Sequence, residues 1–304
     1  MHNVVVFGII VVSIIKEHGI MQIQKSFQDH AATLFLVSTP IGNLSDMTPR
    51  AVETLRSVTL IATEDTRRSM KLCNHFDIKT PLLSYHEYNK YQKTQTILNR
   101  LANGEMVALV SDAGMPLISD PGDKLVNSVL AAGYAVVPIP GANAAITALI
   151  ASGLSPQPYL FYGFLKRQKS KKKTQLLTLV NVSATLIFYE SPNRLKETLI
   201  SMLDVFGNRR VVVARELTKM FEEFLRGTIR ELLEHLQEVK GEVVLLVEGN
   251  YSAGEEEIWW EGMNIYEHVD HYISKGMKTN VAIKQVATDL GRLRQDIYRE
   301  YHND

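Results

Sequence analysis

Residues 107–116 read VALVSDAGMP, in which a run of β-forming residues passes directly into a loop of Asp, Gly and Pro. The same change occurs where Leu34–Ser38 meets the loop 39–44 and where Val136–Ile139 meets the loop 140–145. Helical patterns separate these runs, an alternation typical of an α/β domain with a largely parallel sheet. Since parallel strands end at one edge, the three loops are predicted to form a ligand site there.

A second α/β series follows a linker at Gly153–Pro158, and a Lys- and Arg-rich helical segment ends the chain. The strands of the second series are predicted at Tyr159–Gly163, Thr185–Tyr189, Arg210–Arg215 and Glu242–Glu248. In the last segment one face of a predicted helix-turn-helix carries Ile283, Val286, Ala287 and Leu290. We therefore predict an N-terminal extension at 1–32, an N-terminal α/β domain at 33–153, a C-terminal α/β domain at 154–250 and a helical module at 251–304.

The composition is that of an ordinary globular chain, with 45% hydrophobic and 22% charged residues among 304. Because 33 basic residues balance 33 acidic ones, a nucleic acid would have to be bound by local basic patches. Cys73 is the only cysteine, and no Cys/His cluster has zinc spacing, so we predict no metal and a reducing cytoplasm.

The apolar run Val4–Ile15 is too short to span a membrane and lacks the basic region that begins a signal peptide. We expect Met21 to be the true start and residues 1–20 to lie outside the fold.

Six motifs occur in order between residues 33 and 249. They are LVSTPIGNL at 36–44, IATEDTR at 61–67, ALVSDAGMP at 108–116, VPIPGA at 137–142, LIFYESPNR at 186–194 and ARELTK at 214–219. This set resembles the ribosomal RNA small subunit methyltransferase I family of the tetrapyrrole methylase superfamily. The resemblance implies a class III methyltransferase fold of two α/β domains, S-adenosyl-L-methionine as cofactor, and a cytoplasmic homodimer without membrane contact. It also implies 2′-O-methylation of a cytidine in the decoding region of 16S rRNA, with the rRNA or the small ribosomal subunit as partner.

The same resemblance places the cofactor in the cleft between the two domains, against the three loops. The residues predicted to bind it are Thr39, Pro40, Gly42, Asn43, Ser111, Asp112, Ala113, Gly114, Pro116, Pro140, Gly141 and Ala142. Neither G-x-G-x-x-G nor G-x-x-x-x-G-K occurs, so a Rossmann or P-loop site is not supported.

Two positions depart from the family pattern. Met115 stands where many relatives have Thr, and Ala142-Asn143 replaces a common Pro-Ser or Pro-Cys pair. Since such loops mainly place backbone against the cofactor, we expect changed affinity rather than lost function.

A ribose hydroxyl is a poor nucleophile while protonated, so a base, or a cation that stabilises the developing alkoxide, would help methyl transfer. The catalytic candidates are Asp65, Glu64, Arg67 and Glu190, and Arg194, Glu216 and Lys219 lie in similar loops. Each has a structural alternative: Asp65 could cap the following helix, and Glu216 could pair with Arg215.

The segment 166–173, KRQKSKKK, carries six cations in eight residues. The predicted RNA-binding residues are Lys166, Arg167, Lys169, Lys171, Lys172, Lys173 and Arg194, with Phe161, Tyr162 or Phe164 to stack a base. Alternatively the segment is a solvated loop and the aromatic residues belong to the core. The terminal helices could add RNA contacts through Lys275, Lys278, Lys284, Arg292 and Arg294, or stabilise a dimer.

Two other functions stay open. One is C-methylation of a tetrapyrrole or another small molecule, since fold does not fix function. The other is a DNA-binding regulator that acts through the terminal helices. The basic segment and the Glu-Asp-Thr-Arg motif argue against the first, and the three cleft loops against the second.

Overall fold

The computed structural model describes residues 23–26, 32–236, 239–251, 260 and 262–302. The predictions about Val4–Ile15 and the Met21 start fall outside these residues. The chain divides into two compact units, one of Met1–Leu177 with Thr185–Glu248 and one of Thr178–Ala184 with Gly249–Asp304. Both sheets belong to the first unit, and the domain boundaries at 153 and 250 stay predictions.

The first sheet consists of β1 (Thr33–Val37), β2 (Leu60–Thr63), β3 (Leu82–Ser84), β4 (Val107–Val110) and β5 (Ala135–Ile139). Its order is β3-β2-β4-β1-β5 and every neighbouring pair is parallel, which confirms the predicted parallel sheet. β2 and β4 are buried at every position, as expected for parallel strands covered on both faces. Sequence patterns missed the edge strand β3 because three half-buried residues carry almost no periodicity.

Five helices accompany this sheet: α1 (Pro49–Ser57), α2 (Thr66–His75), α3 (Lys90–Ala102), α4 (Asp123–Ala131) and α5 (Ala144–Ser152). Side chains of Thr48, Asp65 and Asn143 accept backbone N–H groups at the starts of α1, α2 and α5. The sequence of α5 is apolar on nearly every face, a pattern typical of a buried helix, yet one face of α5 is exposed. Leu149 is buried there, whereas Ile150 is 76% exposed.

The second sheet contains β6 (Tyr159–Phe164), β7 (Thr185–Glu190), β8 (Arg210–Arg215), β9 (Glu223–Thr228) and β10 (Val243–Val247), with helices α6 (Lys169–Leu177), α7 (Pro192–Phe206) and α8 (Ile229–His235). Its order is β6-β7-β10-β8-β9; only β6 and β7 are parallel and the other pairs are antiparallel. The four predicted strands are present. β9 was not predicted because this edge strand is nowhere fully buried and lacks an apolar pattern.

One hydrophobic cluster links the two sheets. It joins Ile41 from the loop after β1 and Leu149 of α5 to Ile187, Val212 and Leu246 of the second sheet. The carboxyl edge of the first sheet therefore faces the second sheet.

The second unit contains α9 (Ile265–Ser274), α10 (Thr279–Asp289) and α11 (Arg294–His302). α10 and α11 are the predicted pair, and α9 adds a third helix whose Val269 packs into the same core as Ile283 and Val286. Leu290, predicted on the apolar face, is 37% exposed because α10 has already ended there. Within the described residues, no helix has the length and apolar character needed to cross a membrane.

Candidate active site

The loops after β1 and β4 are joined by a pair of backbone hydrogen bonds. Thr39 N–H donates to the Gly114 carbonyl at 2.9 Å, and Gly114 N–H donates to the Thr39 carbonyl at 3.0 Å. The Ser111 hydroxyl donates to the Gly114 carbonyl at 2.9 Å, and the Thr39 hydroxyl donates to the Ser111 carbonyl at 3.2 Å. The side chains of Thr39 and Ser111 therefore shape the loops, and their hydroxyl protons are already engaged.

A cavity of about 410 Å³ lies between these loops and the second sheet, a volume typical of small-molecule sites. Its walls are apolar at Ile41, Met115, Leu217 and Val244 and polar at Ser119, Asp120, Asn143 and Glu190. We call it the larger cavity. Of the twelve residues predicted to bind cofactor, Ala113 and Gly114 line it.

A second space of about 320 Å³, the polar cavity, adjoins the first and shares Ile41, Ala113 and Glu242 with it. The cations Arg68, Lys71 and Lys219 line it. Six of the predicted cofactor residues also lie here: Thr39, Pro40, Gly42, Ser111, Asp112 and Ala113. Asn43, Pro116, Pro140, Gly141 and Ala142 line neither cavity, so the loops surround the site while only part of each loop faces it.

Two glycines in these loops permit close packing. A Cβ on Gly42 would lie 2.5 Å from Cγ of Lys219, and a Cβ on Gly141 would lie 2.7 Å from Cβ of Ser38. Both distances are below any real contact, so the tight approach of these loops to their neighbours depends on glycine.

The Glu-Asp-Thr-Arg motif forms the start of α2, and none of its predicted catalytic residues lines either cavity. Asp65 caps the helix, as its structural alternative anticipated, and both of its oxygens accept hydrogen bonds from the Arg67 guanidinium, at 3.1 and 2.9 Å. These bonds and the Arg67 backbone N–H lower the pKa of Asp65 to about 2. Glu64 is exposed. A carboxylate with so low a pKa is a weak base at neutral pH, so the geometry does not favour Asp65 as proton acceptor.

Glu190 does line the larger cavity, and its side chain is only 1% exposed. Its Oε2 accepts the Thr198 hydroxyl at 2.7 Å, and its Oε1 accepts the Ser191 N–H at 2.7 Å and lies 3.3 Å from Arg194 Nε. Arg194 also donates to the Leu165 carbonyl at 2.8 Å. Both residues are thus fixed by neighbours, which makes the wall rigid and gives both Glu190 oxygens partners within the protein.

The basic segment differs from its prediction in two ways. From Lys169 onward it is the helix α6 rather than a loop. Lys172 is fully buried, and its Nζ donates to Glu197 and to Thr198, each at 3.1 Å. Lys172 therefore cannot reach a phosphate, and we remove it from the RNA-binding set. The other five cations are exposed: Lys166, Arg167, Lys169, Lys171 and Lys173.

The three residues predicted to stack a base differ in their surroundings and exposure. Phe161 packs edge-on against Tyr189 with ring centroids 4.9 Å apart, and Tyr162 packs against Phe188. Phe164 is 54% exposed and lines the larger cavity. It is the member of the trio with a face available to a ligand.

The structural alternative for Glu216 also needs correction. Glu216 accepts hydrogen bonds from Lys219 Nζ and from the Glu242 backbone N–H, both at 2.9 Å, while Arg215 pairs with Glu223. Lys219 also lies 3.0 Å from the Glu242 carboxylate. These contacts hold the Lys219 side chain against Gly42, and both residues line the polar cavity.

Sequence reasoning missed Asp120, which lines the larger cavity. Burial, together with the charges of Glu64 and Asp112, raises its pKa to about 6. A sequence signal exists, because Asp120-Pro-Gly122 lies between a strand and a helix at the ligand-binding edge, shortly after the third motif ends at Pro116.

Comparison with known proteins identifies the family. The profile of the Tetrapyrrole (Corrin/Porphyrin) Methylases matches residues 33–233. The Ribosomal RNA small subunit methyltransferase I of Halalkalibacterium halodurans is 54% identical over 289 residues, which cover 93% of this chain and 100% of that relative. The Bacillus subtilis protein of the same name is 54% identical over 273 residues, covering 88% of this chain and 94% of that relative. This chain belongs to the ribosomal RNA small subunit methyltransferase I family.

Solved structures agree on the fold of this methyltransferase I family member. Uroporphyrin-III C-methyl transferase from Thermus thermophilus, complexed with S-adenyl homocysteine, superposes with a TM-score of 0.52 at 16% identity and covers 71% of this chain and 97% of that one. At such low identity the likeness concerns the fold alone. The class III fold predicted from the six motifs is confirmed.

Met115 and Asn143, which depart from the family pattern, contact each other at the wall of the larger cavity. Asn143 Nδ2 donates to Met115 Sδ at 3.6 Å, and Asn143 Oδ1 accepts the Ile146 N–H at the start of α5. Both side chains line the cavity, so these positions present side chains as well as backbone to a ligand.

Proposed function

We propose that this protein transfers a methyl group from S-adenosyl-L-methionine to the ribose 2′-hydroxyl of a cytidine in the decoding region of 16S rRNA. The observation that carries the proposal is the larger cavity of mixed apolar and polar walls, joined through Ile41, Ala113 and Glu242 to a polar cavity lined by cations. One space suits a small methyl donor and the other a polyanionic acceptor. The names of the two relatives, each 54% identical, support rRNA as the acceptor.

The walls of the larger cavity fit S-adenosyl-L-methionine in chemistry as well as size. Apolar Ile41, Leu217 and Val244 suit an adenine ring, while Ser119 and Asn143 suit polar parts of the ligand. When bound, the cofactor supplies a methyl group already activated on a sulfonium sulfur. The protein's part is then to orient the acceptor oxygen, exclude water and receive the proton.

Cationic side chains lie at the polar cavity and in segment 166–173, where we propose that RNA binds. Lys71, Arg68 and Lys219 line the polar cavity, although Arg68 lies 3.3 Å from Asp112 and Lys219 is paired with glutamates. The five exposed cations of segment 166–173 begin two residues after Phe164, at Lys166. We propose that these groups contact phosphates and that Phe164 stacks on a base, because a nucleotide must leave its helix to reach the methyl donor.

The homodimer is also a proposal. Its support beyond the family resemblance is α5, where Ile150 and Ile146 remain 76% and 36% exposed on an otherwise apolar helix. Sedimentation of the full chain should give a dimer that Ile150→Glu weakens; a wild-type monomer at micromolar concentration would contradict it. The proposed substrate also implies a cytoplasmic site of action.

Met115→Thr should weaken S-adenosylhomocysteine binding about three- to tenfold, because the change removes apolar surface and the sulfur contact with Asn143 from the cavity wall. Titration calorimetry measures the effect. Met70→Thr is the control, since Met70 is 48% exposed and lines neither cavity. Equal affinities of the two variants would contradict the placement of the cofactor.

The test of the function offers two acceptors in parallel. The protein and radiolabelled S-adenosyl-L-methionine are incubated with small ribosomal subunits from a strain that lacks the modification, or with uroporphyrinogen III. The proposal predicts label in RNA and none in the tetrapyrrole. Label only in the tetrapyrrole would replace the proposal with C-methylation.

A further inference from the structure

We propose that Asp120 is the proton acceptor of the methyl transfer, its carboxylate receiving the proton of the ribose hydroxyl at the wall of the larger cavity. The inference rests on the proposed function and adds to it a residue outside the six motifs.

The position of Asp120 is the first argument. It lies in the turn between β4 and α4, on the wall of the larger cavity, while Asp112 at the end of β4 lines the polar cavity. The two cavities share Ala113, which lies in the same connection between β4 and α4 as Asp120. An acceptor oxygen that enters through the polar cavity would meet Asp120 as it approaches the methyl donor.

The backbone around Asp120 is strained. Leu117 and Ser119 have φ angles of 72° and 69°, in the left-handed region that residues with a side chain rarely occupy. Such strain recurs where a fold holds a side chain in a working position. Here it turns the chain so that Ile118, Ser119 and Asp120 all reach the cavity wall.

Asp120 is also the least engaged carboxylate of the cavity. Within the part of the chain that the structure describes, three carboxylates line it: Asp120, Glu190 and Glu242. Glu190 accepts from Thr198 and Ser191, and Glu242 pairs with Lys219. Among the described residues, none makes a hydrogen bond or an ion pair with the Asp120 side chain. Its oxygens are therefore available to an incoming hydroxyl.

The electrostatic surroundings suit a base that works near neutral pH. Burial is the main cause of the raised pKa of Asp120, about 6, and the charges of Glu64 and Asp112 add to it. Arg68 lies against Asp112 and partly balances it. On the opposite wall Tyr189 has a pKa raised by burial and, in part, by the charge of Asp120. A proton acceptor is most efficient when its pKa lies just below the working pH.

The step balances without another reactant. The ribose oxygen forms a bond to the methyl carbon, and the carbon–sulfur bond breaks with its electron pair left on sulfur. The hydroxyl proton passes to the Asp120 carboxylate. One positive charge on sulfur and one negative charge on Asp120 are thereby neutralised together.

Asp120→Asn tests the proposal, with Asp123→Asn as control because Asp123 is exposed at the start of α4 and lines neither cavity. We expect Asp120→Asn to lower kcat at least about 100-fold, to keep the S-adenosylhomocysteine Kd within about twofold, and to abolish the fall of wild-type kcat below pH 6. Asp123→Asn should match wild type. An Asp120→Asn enzyme that keeps wild-type kcat and its acidic limb would overturn the proposal. A loss confined to cofactor affinity would overturn it too, since Asp120 would then be a cofactor anchor.

A second measurement does not depend on activity. A carboxyl whose folded pKa is raised destabilises the folded state once it ionises, as pH rises from about 4 through 6. Asp120→Asn should therefore melt at the wild-type temperature near pH 4 and roughly 2–5 °C higher at pH 8. Equal melting temperatures at pH 8 would remove the electrostatic basis of the assignment. If wild type itself methylates no RNA, the proposed function fails, whereas this melting comparison still reports on Asp120.

Discussion

Lys172→Ala is expected to lower the free energy of unfolding by roughly 3 kcal/mol while leaving RNA affinity unchanged. The Lys172 side chain is 0% exposed between α6 and α7, so the truncation removes a buried stem. It also leaves Thr198, which is itself buried, without the Nζ donor at 3.1 Å. Because Thr198 in turn donates to Glu190, the wall of the larger cavity should loosen as well.

Two further variants, Lys171→Ala and Lys172→Met, test whether the expected loss of stability comes from the buried position of Lys172. Lys171 is exposed, so Lys171→Ala should change the free energy of unfolding by less than about 0.5 kcal/mol and should weaken RNA binding instead. Lys172→Met keeps the apolar stem and should recover most of the stability, since the partner Glu197 is 53% exposed and can be hydrated once the ammonium group is removed. Urea unfolding of the three variants measures the effect. Equal stability of Lys171→Ala and Lys172→Ala would contradict the buried position of Lys172.

Replacement of the five exposed cations of segment 166–173 by Gln is expected to weaken binding to small ribosomal subunits at least tenfold in low salt. The five are Lys166, Arg167, Lys169, Lys171 and Lys173. If each contacts one phosphate, the slope of log affinity against log salt should flatten by up to about 3.5 units, because each contact releases about 0.7 of a counterion from single-stranded RNA. Filter binding between 50 and 300 mM salt, roughly the range in which such slopes are resolved, measures both quantities.

The matched comparison removes five cations from the terminal helical unit: Lys275, Lys278, Lys284, Arg292 and Arg294. A smaller change in slope is expected there. If this second variant flattens the slope and the first does not, RNA is bound by the helical unit, and the assignment of segment 166–173 is wrong.

The strands could be predicted from the sequence where neighbouring residues alone carry the pattern. The strands that end at the site are apolar runs followed by Gly/Pro loops, and β1, β4 and β5 formed at those runs. The edge strands β3 and β9 escaped prediction because their residues are only partly buried.

The features that escaped prediction at the site depend on contacts distant in sequence. Nothing in KRQKSKKK distinguishes Lys172 from its neighbours, because its burial arises from Glu197 and Thr198 on the next helix. Asp120 likewise acquires its raised pKa from burial in the folded chain and, to a smaller extent, from the charge of Glu64, which lies at the end of another strand. Asp65 illustrates the reverse case, since its capping role is local and was foreseen.

The most direct test of the central claim is to locate the methyl group within the RNA. Small subunits labelled by the protein are digested to nucleosides and, separately, hydrolysed in alkali, which cannot cleave a phosphodiester beside a 2′-O-methyl ribose. We predict label in 2′-O-methylcytidine from the decoding region and in an alkali-resistant dinucleotide. Label in a base-methylated nucleoside, with every labelled position cleaved by alkali, would contradict ribose methylation and the role proposed for Asp120.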